Sequence, residues 1–164
     1  MKELDKREVE LLSNLVIANG MTVLIIGLIA GVMLVFSMLG GVGLWPFPIW
    51  AVEVPGTVRG WSAAHVGGIL NGVMLAVLAV LMTRLELVGK AAFWVGWGLI
   101  ITGWANTIFY WAGNLSANRG LSVTETPYGQ GDLAGALAFL GGGSGMIFAF
   151  IAVFFLAVAA WKRS

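Results

Sequence analysis

Four stretches of this chain contain no Asp, Glu, Lys or Arg: between Glu10 and Glu53, Arg59 and Arg84, Lys90 and Arg119, and Asp132 and Lys162. A helix needs roughly 20 apolar residues to cross the hydrocarbon core of a bilayer, and each gap is long enough. Between the gaps the charges cluster, as they do where a chain emerges into water. The 164 residues are 59% apolar and only 10% charged, against about 25% charged in an ordinary soluble domain. These values exclude a soluble globular protein and a disordered one. They point to an all-α integral membrane protein with a single domain over 1–164.

The gaps predict four transmembrane helices at roughly 15–43, 60–83, 91–114 and 133–160. The first gap has room for two short spans, but Trp45-Pro46-Phe47-Pro48 breaks a helix there. Residues 44–59 then read as an interfacial connector with Trp45 and Trp50 at headgroup depth. With four spans, the two tails and the loop 84–90 share one side. That side holds Lys2, Lys6, Arg7, Arg84, Lys90, Lys162 and Arg163, while the other holds only Arg59 and Arg119. The bias predicts that both termini are cytoplasmic. The charged N-terminal tail, Met1–Leu12, carries four acids and reads as a short amphipathic helix on the cytoplasmic surface, not as a signal peptide.

Several function classes fall away on composition. The chain has no cysteine, which excludes disulfides, Cys-ligated zinc, iron–sulfur clusters and c-type haem. A net charge of +1 offers little to nucleic acid. Helices 1–2 do not resemble helices 3–4, which disfavours an inverted-repeat transporter. Gly27-x-x-x-Gly31 and Gly68-x-x-x-Gly72 allow close helix contact, either within one bundle or between subunits. Four helices bury little inside one copy, so an oligomer is favoured. Gly141-Gly142-Gly143-Ser144-Gly145 lacks the lysine and preceding strand of a phosphate loop and reads as close packing in helix 4.

Inside the spans the candidate polar set is His65 and Asn71 on helix 2, with Asn106 and Tyr110 on helix 3. Polar groups at such depth are costly and are functional candidates by default. His65 lies a little over one turn inside its end of helix 2. Tyr110 and Asn106 lie about one and two turns inside the same end of helix 3, so the three share one layer. Asn106 and Tyr110 are four apart on one face, and Asn114 extends that stripe. Asn71 points about 120° away from His65 and lies about 9 Å deeper. A small ligand inside one bundle would not easily touch both; a ligand lodged between subunits could.

His65 is the only histidine. Either it is a packing residue bonded to a backbone carbonyl or it is a ligand. One His without Cys cannot build a zinc site from one chain, whereas a haem needs only one proximal His. Trp45, Trp50, Trp61 and Trp111 read as belt residues at one interface, and Trp94 and Trp161 at the other. Trp97 and Trp104 are deeper and either pack on a flat cofactor or fill space. Methionines read as core filler. In the outer loop 115–132, Asp132 is a good cap for helix 4, and Gly129 and Gly131 suit tight turns. Arg119 there is either a carboxylate partner or a solvated charge.

Taken in order, Gly41-Val42-Gly43-Leu44-Trp45, Val54-Pro55-Gly56, Gly60-Trp61, Ala64-His65, Leu70-Asn71-Gly72, Gly103-Trp104-Ala105-Asn106, Phe109-Tyr110, Asn118-Arg119-Gly120-Leu121 and Gly131-Asp132 resemble the styrene oxide isomerases, from about Gly40 to Ala160. The resemblance implies a four-helix enzyme of a bacterial-type inner membrane, assembled as a homotrimer with ferric haem b between subunits. It implies isomerisation of a small hydrophobic aryl epoxide to an aldehyde, phenylacetaldehyde from styrene oxide, in a Meinwald rearrangement. His65 matches the axial haem ligand. Asn71 and Tyr110 match polar groups that position the epoxide, and Asn106 matches a neighbour of Tyr110. Arg119 stands where it could meet a haem propionate. Around Trp45–Glu53 the sequence departs from the family pattern, with Glu53 in place of a histidine, and the tail is longer; these differences bear on the substrate rather than the chemistry. The competing readings are a haem b membrane electron carrier and a non-enzymatic membrane transporter or partner subunit.

Overall fold

The computed structural model describes residues 3–163. Lys2, counted above among the basic residues, lies outside them. The chain forms α1 (Lys6–Leu39), a minimal ladder of β1 (Gly41–Val42) and β2 (Trp50–Ala51), α2 (Val58–Arg84), α3 (Gly89–Leu115) and α4 (Leu133–Trp161). All four helices are long and apolar enough to span a membrane. Their outward faces carry Ile25, Val32, Leu70, Val77, Phe150 and Phe154, all exposed, which is what lipid or an apolar neighbour requires and water does not tolerate.

The helix ends follow from local chemistry. Asp5 caps α1: its Oδ1 accepts the Glu8 N–H at 2.9 Å, and the Glu8 carboxylate accepts the Asp5 N–H at 3.0 Å. This capping box starts α1 at Lys6, well before the expected position 15, and the tail is not a separate surface helix. Val9 and Leu12 are buried in the bundle instead. At about 1.5 Å per residue α1 is roughly 51 Å long, longer than the hydrocarbon core is thick. It stops at Gly40, which adopts the left-handed conformation at φ 65°, so the helix ends short of the expected position 43. Thr57 caps α2 through Gly60 N–H at 2.9 Å. Asp132 caps α4 through Gly135 N–H at 2.6 Å.

α1 pairs with α2, and α3 pairs with α4; α3 also touches α2 and α1. α3 is the least apolar span, with a mean hydropathy of 1.2 against 2.6 for α1, and it is the central one. The glycine patterns make the α1–α2 seam. A Cβ on Gly27 would lie 2.8 Å from the Gly68 carbonyl carbon, and one on Gly20 2.9 Å from the Gly72 oxygen. These pairs therefore serve packing within one chain, not contact between subunits.

Two clusters fill the bundle. The larger lies toward the termini and joins Val9, Leu12 and Val16 to Leu75, Ala79, Met82, Val95, Leu99, Ala152 and Leu156 from the other helices. The smaller lies toward the long connectors and contains only Ala30, Trp61 and Ala64 as buried members. Trp61 is 3% exposed, so it is not a lipid-belt residue. Its Nε1–H donates to Pro55 O at 2.8 Å and its ring meets Trp111 edge-on at 5.1 Å, an apolar body with a satisfied polar tip.

Candidate active site

The polar groups gather at the connector end. On α2, His65 turns toward α1, and its Nδ1 lies 2.9 Å from Gly27 O. A carbonyl only accepts, so Nδ1 carries the proton and Nε2 keeps the lone pair. The ring lies close over Gly31, where a Cβ would fall 2.6 Å from Nδ1. His65 is half-buried. Of the two roles the sequence leaves open, the carbonyl bond satisfies one ring nitrogen and leaves the other free to act as a ligand.

Asn71 turns toward α3. Its Nδ2 donates to Gly67 O at 2.7 Å, and its Oδ1 accepts Asn106 Nδ2 at 2.8 Å. Asn71 is 8% exposed, so these bonds satisfy an amide that would otherwise be costly to bury. One N–H of Asn71 remains uncommitted. The Tyr110 ring lies over Gly67, leaving no room for a Cβ there. Gly67 is thus the point where Asn71 and Tyr110 meet. Asn106, Tyr110 and Asn114 form one stripe of α3 facing α2, as their spacing predicts.

His65 and Gly67 are about 160° apart around α2. The imidazole therefore sits at the α1 edge of the helix, and the Asn71–Asn106–Tyr110 group at the α3 edge. The structure brings the second group together and leaves His65 apart from it within the chain.

Beyond Tyr110 a cavity of about 510 Å³ opens between the start of α2, the end of α3 and the loop 116–132, within the size range of small-molecule sites. Ala63, Phe109 and Tyr110 line it together with the basic Arg59 and Arg119. Asn118 organises the loop. It is fully buried, donates to Ser122 O and Thr124 O, and accepts from Ser116 Oγ and Gly120 N–H. Arg119 is held at φ 60°, with its guanidinium 4.4 Å from the centroid of Tyr128, a cation–π contact. Asp132 closes the loop, and the Gly135 and Ala117 N–H groups that donate to it hold its carboxyl below the ordinary range.

Sequence reasoning missed several partners, even of residues it names. Asn114 Oδ1 accepts the Thr57 N–H at 2.8 Å, capping α2 from α3, while its Nδ2 is buried without a partner. Trp104, read from the sequence only as a packing surface, also makes a directed bond: its Nε1–H donates to Asn19 Oδ1 at 2.8 Å. Ser13 donates to Ala79 O, and Thr102 to Gly98 O and Gly145 O. Arg59 entered only as a charge on the sparsely basic side. Among the described residues, no three His, Cys, Asp or Glu side chains gather as a metal site.

Four helices long and apolar enough to cross a membrane, with a polar cluster and an open cavity at one end, have the architecture of a multi-pass membrane protein. The sequence pattern of the styrene oxide isomerase family matches residues 12–161, and the chain belongs to that family. A styrene-oxide isomerase of Pseudomonas fluorescens is 37% identical over 119 residues, covering 66% of this chain and 70% of that protein. The chain is an enzyme, an isomerase.

Proposed function

We propose that this protein converts styrene oxide-like aryl epoxides to aldehydes, with ferric haem b held by His65 at an interface between copies of a homotrimer in the bacterial cytoplasmic membrane. The observation that carries this reading is the bond from His65 Nδ1–H to Gly27 O. It fixes the tautomer and raises the basicity of Nε2, as is usual for a ligating imidazole. A haem asks the chain for a single imidazole, and the donor set fits that need. When bound, ferric haem supplies a Lewis acid that weakens the benzylic C–O bond of the epoxide.

The chain's own residues do the rest. The free N–H of Asn71 and the hydroxyl of Tyr110 donate to the epoxide oxygen and fix its orientation. Asn106 holds the Asn71 oxygen, which leaves Asn71 to present its N–H. The benzylic C–O bond breaks, a hydride moves from the terminal to the benzylic carbon, and the terminal carbon becomes the carbonyl. Atoms and electrons balance without water or an external reductant. Water would divert the cationic intermediate to a diol, and the apolar walls of the bundle exclude it.

His65 and the Asn71–Tyr110 group lie on opposite edges of α2, so one molecule touching both is best lodged between copies, His65 from one and Asn71 and Tyr110 from the next. Lys6, Arg7, Arg84, Lys90, Lys162 and Arg163 at the terminal end support cytoplasmic termini.

The test is an absorption spectrum of the detergent-purified protein beside His65→Ala, with conversion of styrene oxide to phenylacetaldehyde followed in both. A Soret band and turnover in the wild type, both lost in the variant, are expected. A wild type that turns over epoxide without a Soret band, or a fully active His65→Ala, overturns the cofactor role.

A further inference from the structure

We infer that Asn114 is a positioning residue for the isomerisation: its side-chain oxygen straps the end of α3 to the start of α2 and so sets the separation across which Tyr110 and Asn71 work. This rests on the reading above that Tyr110 and Asn71 hold the epoxide oxygen, and not on the cofactor. Asn114 Oδ1 accepts two bonds from one residue, the Thr57 N–H at 2.8 Å and the Thr57 Oγ1–H at 3.2 Å. Thr57 Oγ1 in turn accepts the Gly60 N–H at 2.9 Å. The cap of α2 is therefore a chain from Gly60 to Thr57 to Asn114, and its last member stands on another helix.

The socket is cut to the carboxamide. A Cβ on Gly56 would fall 2.5 Å from Asn114 Nδ2, and one on Gly60 would overlap the Asn114 side chain outright. Asn114 Nδ2 is buried without a partner, an expensive state for a donor, so the oxygen alone bonds the side chain in place. Asn114 lies one turn beyond Tyr110 on the same face of α3. Next inward, Trp61 meets Trp111, the Tyr110 ring lies over Gly67, and Asn106 bonds Asn71. Each of these needs the separation that the strap fixes. His65 is held from the other side, by Gly27 O and the glycine seam with α1. Releasing the strap should therefore displace Tyr110 from Asn71 and leave the imidazole where it is.

The test is styrene oxide turnover per folded molecule of detergent-purified full-length protein, a readout that mere loss of stability does not move. In Asn114→Leu, kcat should fall about tenfold, more than KM rises, because misplaced donors cost chiefly in the transition state. Asn114→Asp keeps the acceptor, loses only an unpartnered N–H and sets a negative charge at a helix N-terminus, so it should keep most of the wild-type kcat. Gly60→Ala suits the helix itself but fills the socket. It should be as slow as Asn114→Leu, and the double variant no slower than either. Wild-type kcat in Asn114→Leu, an Asp variant as slow as the Leu variant, or losses that multiply in the double variant would each overturn the strap. Where Asn114→Leu does not fold, equal kcat in Asn114→Asp and Gly60→Ala does the same. Tyr110→Phe, run alongside, separates the two readings. If it is slow while Asn114→Leu is not, the strap fails and the site reading stands; if it is fully active, both fail.

Discussion

The two ends of this bundle are built on different principles. Toward the termini, four helices interlock through Val16, Leu75, Leu99 and Ala152, all without exposed surface. Toward the connectors, the buried apolar set shrinks to Ala30, Trp61 and Ala64, and amides, a phenol, an imidazole and two guanidiniums take the space. The first end is held by burial, which is non-directional and tolerant. The second is held by directed bonds: His65 to Gly27, Asn71 to Gly67, Asn106 to Asn71, Trp61 to Pro55. Apolar burial and directed polar bonding are therefore divided between the two ends of the helices, and the proposed site lies at the second.

Changes at the terminal end should cost folding and spare turnover. Leu99→Ala should lose about 2–5 kcal/mol, the range for deleting a buried leucine. Its unfolding temperature in detergent should fall while epoxide conversion per folded molecule holds, and a matching fall in conversion would break the comparison. Gly67→Ala works in the opposite sense. The new methyl meets the Tyr110 ring, and overpacking of this kind costs about 1–3 kcal/mol. That energy falls on the ring proposed above to hold the epoxide oxygen, so kcat should drop about tenfold or more, with thermal stability shifted less than by Leu99→Ala. Asn106→Leu removes the bond that holds Asn71. A net loss of about 0.5–1.5 kcal/mol is expected, read as a higher KM and lower kcat for the epoxide at an unchanged Soret position.

The smallest effect concerns the loop. Asp132 titrates below its ordinary value because Gly135, Ala117 and the loop beside them donate to its charged form. A depressed carboxyl stabilises the folded state above its unfolded pKa, and that contribution is lost as pH falls through the folded value. Limited proteolysis within 116–132 should accelerate in that acid window for the wild type. Asp132→Ala should be cut faster at neutral pH, and the two should converge at low pH. No convergence would place the strength of the loop in Asn118 rather than Asp132.

The spans were legible because charge is excluded from hydrocarbon so strictly that its absence marks them. The Asn106–Tyr110–Asn114 stripe was legible because helical spacing alone puts these residues on one face. The separation of His65 from Asn71 was legible for the same reason, and the structure keeps it. What spacing cannot report is the partner across a gap. Trp61 reads as a belt residue until Pro55 O is seen above it. Arg59 reads as a stray surface charge until Arg119 appears across the same cavity. The tail reads as a separate helix because its charges mask Asp5-Lys6-Arg7-Glu8, a capping box, and because Val9 and Leu12 find their neighbours only in tertiary packing. The Gly27 and Gly68 patterns were seen, but a close-contact motif does not say which helix makes the contact.

Gly27 has a further consequence. The hydrogen bond that α1 gives the His65 ring comes from a main-chain oxygen, not from a side chain. A backbone carbonyl is present whatever residue carries it, so most of α1 is free to change its side chains so long as the glycines let its backbone lie against α2. The imidazole is in this sense a gauge of the distance between two helices. Any drift of α1 along or away from α2 would lengthen that single bond and weaken the basicity of the opposite nitrogen, so a mutation in plain helix packing could register as a change in ligand strength.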